Sequence, residues 1–256
     1  MIGKQGKRWL LLFYHWGQQI CDPLRFLRGL RGVSWYLFDL YKYVRLLNGT
    51  PVHLLNTWPQ LHDRTSSTGI DSHYFFVNGW AMRRIVAQDP IYHVDVGSQT
   101  ILVNLLSAIV PVVFLDYRPL KVKLNGLNTL GADILRLPFD DVSIQSLSCL
   151  HVAEHIGLGR YGDPLNPFGT RDAAHELERV LAKGGDLFFA LPVGRPRLCF
   201  NAHRIHAPRT VCDYFSTLEL VEFSAVDDRG QFVERACLDD FIDNDYACGM
   251  YWFRKC

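Results

Sequence analysis

A chain of 256 residues, 48% hydrophobic and 21% charged, has an ordinary globular composition and is long enough to bury one good core, as one compact domain with an extension. Net charge is only +1, but residues 1–50 carry +6 and residues 51–256 carry −5, so the positive charge is concentrated at the front. Seven cysteines, odd in number and without a Cys-x-x-Cys pair, argue against a disulfide framework and fit a reduced, cytoplasmic protein.

The front segment raises a membrane question. Trp9-Leu10-Leu11-Leu12-Phe13-Tyr14 follows Lys4, Lys7 and Arg8 as in a signal peptide, but His15 breaks the apolar run and no small-residue cleavage site follows. The run is also far short of the roughly 20 apolar residues that span a bilayer. Arg25, Arg28 and Arg31 then recur among Leu24, Phe26, Leu27 and Leu30, and Trp35, Tyr36, Phe38, Tyr41 and Tyr43 crowd behind them. This mixture suits an amphipathic element on an anionic membrane surface, and equally a helical arm packing its aromatics on its own domain or on a second subunit. No recognisable nucleic-acid module accompanies the charge, so no nucleic-acid partner is expected. Residues 1–70 are read as a basic, aromatic-rich helical extension and connector, and residues 71–256 as an α/β domain.

Residues 49–69, rich in Pro, Asn, Ser and Thr, form the connector. Helical periodicity returns over residues 71–87, where Asp71 or Ser72 can cap, and Asp89-Pro90 ends it. Residues 91–106 pass from an apolar strand through a tight turn at Val96-Gly97-Ser98 into a helix, the opening of a nucleotide-binding βαβ unit. Val112-Val113-Phe114-Leu115 is a short buried strand ending in Asp116, about 20 residues after the glycine turn, where an acid can accept both ribose hydroxyls. Asp133 beside Ile134 is an acid that could accept from an adenine amine, or a simple turn residue. A fourth strand covers residues 146–152, a helix residues 171–182, a fifth strand residues 186–191, a sixth residues 218–226, and a final aromatic strand residues 249–253. Acids at 239, 240, 243 and 245 read as a solvated loop.

The ordered series VDVG, FLDYRP, GADILRLPFDD, SCLHVAEH and LERVLAKGGDLFFALP resembles the class I S-adenosylmethionine-dependent methyltransferases over residues 91–192. DSHYFFVNGW, HVDVGS, EHIGLGRYGDP and FNAHRI resemble, more narrowly, the uncharacterised bacterial family called domain of unknown function 268, often encoded beside surface-polysaccharide enzymes. The first resemblance implies a Rossmann-like, mostly parallel seven-stranded sheet with an antiparallel last strand. It implies S-adenosylmethionine as cofactor, with Asp95, Gly97 and Ser98 in the first motif, Asp116 on the ribose, Asp133 and Ile134 at the adenine, and Leu150 and His151 lining the methionine part. Gln99 departs from the pattern, because these enzymes usually repeat glycine there. Its amide could bond the cofactor carboxylate, or its bulk could narrow the pocket. The short interval from Asp116 to Asp133 implies a shortened second crossover helix. The second resemblance implies a glycan context, and so a saccharide or glycolipid acceptor; the basic, aromatic front segment suggests peripheral contact with the inner membrane face or with glycan-assembly enzymes through residues 1–48.

Catalysis is expected just beyond the fourth strand. His155 and Asp163 are the base candidates, and Glu154 could orient His155 or accept a sugar hydroxyl. Arg160 and Tyr161 on the following turn-rich loop, and Asn201, His203 and Arg204 after the fifth strand, are candidate acceptor contacts. Glu154 and Arg160 could equally form a buried ion pair that holds the loop. His151-Val-Ala-Glu154-His155 spells a zinc-peptidase string but ends a strand instead of lying on a helix, and Cys199, His203 and His206 lack a clear fourth ligand. No metal is expected.

Overall fold

Asp22 starts the first helix: its Oδ1 accepts the Leu24 and Arg25 amides, each at 3.0 Å, and Pro23 supplies the fixed φ of a first helical position. In this computed structural model, which describes Gly17, residues 22–47 and residues 52–256, that helix is α1, Pro23–Leu46. The apolar run 9–14 and His15 lie outside the described residues. The chain divides into two units, residues 1–69 and residues 70–256. In the first, Gly32 of α1 lies so close to Leu61 that a Cβ would meet its carbonyl oxygen at 2.8 Å, and Arg64 pairs with Asp39 and covers the Trp35 ring. Phe26, Leu27, Leu30, Leu37, Phe38, Tyr41 and Tyr43 are all exposed. Among the described residues, no helix is long and apolar enough to cross a membrane.

The second unit begins with α2, Ser72–Gln88, capped by Asp71 through the Tyr74 amide. It continues with β1 (His93–Val96), α3 (Thr100–Ser107), β2 (Val112–Asp116), β3 (Leu127–Gly131), β4 (Ile144–Leu150), α4 (Gly169–Val180) and β5 (Leu181–Val193). A small hairpin of β6 (Arg197–Cys199) and β7 (His203–Ile205) follows, then α5 (Pro208–Tyr214), β8 (Leu218–Val226), β9 (Phe232–Val233) and β10 (Ala247–Lys255). The main sheet runs β3-β2-β1-β4-β5-β10-β8-β9. β1 to β5 pair in parallel, while β10 runs antiparallel between β5 and β8. Seven strands therefore follow the expected pattern, and the two-residue β9 adds an eighth at the edge.

Side chains alternate across this sheet, so each strand feeds two cores. Trp80 and Ile85 of α2 and Leu102 and Leu106 of α3 cover Phe114, Leu150, Phe188 and Met250 on one face. Ala174, Leu177 and Val180 of α4 cover Leu147, Phe189, Leu191 and Tyr251 on the other. The helix expected to be shortened between the second and third strands is absent: residues 117–126 connect β2 to β3 without one. That connection is shorter than the dozen or more residues a helical crossover needs, and it is fastened instead by the Thr129 hydroxyl donating to the Leu120 carbonyl at 2.9 Å.

Candidate functional site

The strand order reverses between β1 and β4, and at the C-terminal ends of the strands around this point the sheet opens into a cleft. The glycine turn forms its floor. Asp95 is buried, with Oδ1 accepting the Ser98 amide at 3.0 Å and Oδ2 accepting the Ser148 hydroxyl; Ser98 Oγ in turn accepts the Leu150 amide at 3.1 Å. Burial pushes the Asp95 carboxyl up to about 6 despite those bonds. Asp95, Ser98 and Leu150 thus join β1 to β4 beneath the cleft and do not line it. Gly97 does line it, at φ +72°, and a Cβ there would sit 3.1 Å from a Val152 methyl, so the turn needs glycine both for its conformation and for this contact. Gln99 turns away: its Oε1 accepts from Asn78 Nδ2 on α2 at 2.8 Å. The long side chain neither fills the cleft nor faces it.

The opposite wall is built from the ends of β2 and β3. Asp116 lines the cleft with one carboxylate oxygen accepting the Arg118 amide at 2.7 Å, and Asp133 lines it while accepting the Leu135 amide at 2.9 Å. Leu115, Ala132, Ile134 and Leu135 make that wall apolar. Apolar sides with two acids at the rim suit a nucleoside, whose base needs a dry slot and whose ribose needs acceptors.

The third wall follows β4. Residues 153–155 form a single 3-10 turn, which places Glu154 fully inside and His155 at the cleft. His151 Nδ1 lies 3.1 Å and His155 Nε2 3.7 Å from the same oxygen, Glu154 Oε1. Burial alone would raise the Glu154 carboxyl, but the hydrogen bond and charge of His151 outweigh it and hold the acid below the usual range. For His151 the balance runs the other way, with Cys248 and Glu154 overcoming burial to carry it well above the usual imidazole range. Burial lowers His155, which Arg160 reinforces and Glu154 opposes. His155 Nδ1 bonds the Ala202 carbonyl at 2.6 Å, which makes that nitrogen the donor and leaves the lone pair on Nε2.

The expected acceptor residues separate into two groups. Tyr161 lines the cleft, edge-on to the His155 ring and beneath the Arg118 guanidinium at 4.5 Å. His203 lies partly buried against the Tyr246 ring. Arg160 donates to the Ala202 carbonyl at 3.0 Å, and Arg204 donates to the Ile156 and Asn166 carbonyls at 2.6 and 2.9 Å, so both guanidiniums fasten loops. The anticipated Glu154–Arg160 ion pair does not form; Glu154 faces histidines instead. Asp163 accepts the Gly157 and Tyr161 amides, and although burial raises it, those bonds bring it below the usual carboxylate range. Asp163 therefore braces the loop as a weak base, and Asn201 is exposed. Among the described residues, Cys199, His203 and His206 do not converge as ligands.

Tyr117, Arg118, Leu135 and Val152 line the cleft without having been anticipated. Of these, Val152 carried a signal, as the last residue of the expected fourth strand.

A family profile described as "Caenorhabditis protein of unknown function, DUF268" matches residues 142–235. The match excludes the stretches at 71–80 and 93–98 that suggested the same family, and its description lends no support to a bacterial attribution. No curated protein matches the sequence. Among solved structures, the N-methyltransferase NodS from Bradyrhizobium japonicum, in complex with S-adenosyl-L-homocysteine, is 14% identical with a TM-score of 0.50 over 77% of this chain and 91% of that one. The cyclase SpnF is 12% identical with a TM-score of 0.50 over 70% and 80%. The chain has the Rossmann-like class I methyltransferase fold, with sequence similarity to the DUF268 family over residues 142–235.

Proposed function

We propose that this protein is a cytoplasmic methyltransferase that binds S-adenosylmethionine in the cleft and methylates a hydroxyl of a saccharide or saccharide-lipid in surface-polysaccharide assembly. The observation that carries the cofactor reading is the meeting of Asp116, Asp133 and Ile134, from the ends of neighbouring strands, with Val152 and His155 around one cleft. When bound, the cofactor would supply an electrophilic methyl carbon. Asp116 would accept from the ribose, Asp133 from the adenine amine, and Leu115 and Ile134 would exclude water from the base. His155 would take the acceptor's hydroxyl proton on Nε2, and Glu154, 3.7 Å away, would stabilise the imidazolium that results. The saccharide acceptor rests on the family resemblance and on the aromatic edges of Tyr161 and Tyr246 beside the histidines.

Incubation with methyl-tritiated S-adenosylmethionine and nucleotide-activated or lipid-linked saccharides tests this reading. Label is expected in the saccharide fraction and lost in His155→Asn. Cofactor binding without transfer to any saccharide would overturn the acceptor assignment. A second reading, a catalytically silent protein that associates with glycan-assembly enzymes, is favoured by one observation: Val152 closes over Gly97, where backbone would otherwise approach a ligand. Absence of cofactor binding by the folded protein would select it. Residues 1–48 are proposed as a peripheral membrane contact, supported by exposed Phe26, Leu30 and Phe38 beside Arg25, Arg28 and Arg31. Flotation with anionic liposomes should fall on deleting residues 1–48, and equal partitioning would remove the claim.

A further inference from the structure

His73, His151 and Cys248 belong to the first turn of α2, the end of β4 and the start of β10, and the fold brings them together. One ligand atom of each lies within 4.8 Å of the others. His151 Nε2 and Cys248 Sγ are 3.1 Å apart, and the His73 and His151 rings stack at 5.8 Å, only 8° from parallel. The chain supports this grouping from behind. Glu154 Oε1, 3.1 Å from His151 Nδ1, accepts a hydrogen bond from it, which leaves Nε2 as the nitrogen that faces Cys248. The other oxygen of that carboxylate, Oε2, is buried with no partner among the described residues. His151 itself sits at φ +57°, a left-handed conformation that a non-glycine residue holds only where its surroundings fix it. Tyr246 stacks on His73 at 5.0 Å, and Tyr74 leans on His151 at 5.2 Å, so each imidazole packs against an aromatic ring.

A carboxylate–histidine pair behind a metal-facing imidazole is the usual support of a histidine ligand, since it fixes the tautomer and makes the ring more basic. Two imidazoles and a thiolate favour zinc over the oxygen-seeking magnesium and calcium. We propose that His73, His151 and Cys248 bind a zinc ion, with Glu154 orienting His151. Three protein ligands leave the fourth tetrahedral position to water. On binding, His151 Nε2 and the Cys248 thiol give up their protons to solvent, and the nitrogen and sulfur bond the ion with no change of oxidation state. The ion ties α2 and β10 to the end of β4, and so fixes His151 in the floor of the cleft. His155 takes no part, because it does not fall within the converging group. The proposal holds whether or not the cleft transfers methyl groups.

The test uses the full, tag-free chain. After dialysis against a weak chelator, elemental analysis is expected to find roughly one zinc per chain, and cobalt substitution to give a thiolate-to-cobalt charge-transfer band. Cys248→Ser should abolish the band. Cys199→Ser should leave it unchanged. His73→Asn, on the first turn of α2 and only partly buried, should keep the circular dichroism of the metal-free protein while weakening zinc binding at least tenfold, and Glu154→Gln should weaken it about 10- to 100-fold. A folded wild-type chain that retains no zinc, or a band that survives Cys248→Ser or vanishes in Cys199→Ser, would overturn the site. Undiminished zinc affinity in folded His73→Asn would do the same.

Discussion

At the end of β1, Asp95 turns inward and both its oxygens are engaged, one by the Ser98 amide and one by the Ser148 hydroxyl. At the end of β2, Asp116 uses one oxygen on the Arg118 amide and keeps its place on the cleft wall. The two acids lie near the ends of adjacent parallel strands, with Asp116 two residues beyond Phe114, the partner of Asp95. Asp95 builds the turn, and Asp116 is available to a ligand. A carboxylate at a strand end can contact a ligand only if its own turn leaves it exposed at the cleft, and here that condition separates the two.

The largest effect expected from this contrast is on folding. Asp95→Ala strands a buried amide and a buried hydroxyl, and should lower unfolding free energy in urea by about 3 kcal/mol. A loss below about 0.5 kcal/mol would mean that the turn does not depend on it. Asp116→Ala should do the reverse, weakening S-adenosylhomocysteine binding by about 2 kcal/mol, or roughly 30-fold, with a stability change under about 1 kcal/mol.

Smaller effects sharpen the comparison. Gly97→Ala places a Cβ at φ +72° against Val152 and should cost about 1–2 kcal/mol in stability. The pH dependence of Asp95 has a definite sign. Its folded pKa, about 6, lies above the unfolded carboxyl value, so its contribution to stability is present below about pH 4 and is lost as pH rises through 6. Wild-type stability should therefore fall more steeply than that of Asp95→Asn between pH 4 and 6, by up to about 1.4 kcal/mol per pH unit. Parallel slopes would place Asp95 in a less buried setting. Gln99→Ala should cost about 1 kcal/mol through loss of the Asn78 bond and leave ligand affinity within a factor of about three. A gain in affinity would show that Gln99 does obstruct the cleft.

The strands were legible in the sequence wherever an apolar block ended at a turn: the expected sixth strand matches β8, and the acid after 112–115 lies at the end of β2. The β2–β3 connection departs from the expected shortened helix because residues 117–126 are too few for a helical crossover with its two flanking turns. Within the site, Asp116, Asp133, Ile134 and His155 reach the cleft as their positions suggested. The role of Asp95 was hidden, because spacing along a chain does not say which way a side chain turns. Gln99 was judged against a cofactor when its partner was Asn78, 21 residues earlier on another helix. His73, His151 and Cys248 lay beyond any reading of local spacing, since only the fold brings together the first turn of α2, the end of β4 and the start of β10, which β5 separates from β4 in the sheet.

The central claim is that a nucleoside cofactor lies against Asp116 and away from Asp95 and Gln99. Isothermal titration calorimetry of the full chain with S-adenosylhomocysteine tests it most directly. One saturable site is predicted, weakened about 30-fold by Asp116→Ala and unchanged by Gln99→Ala. No heat at millimolar ligand with the fold intact, or an affinity indifferent to Asp116, would contradict it.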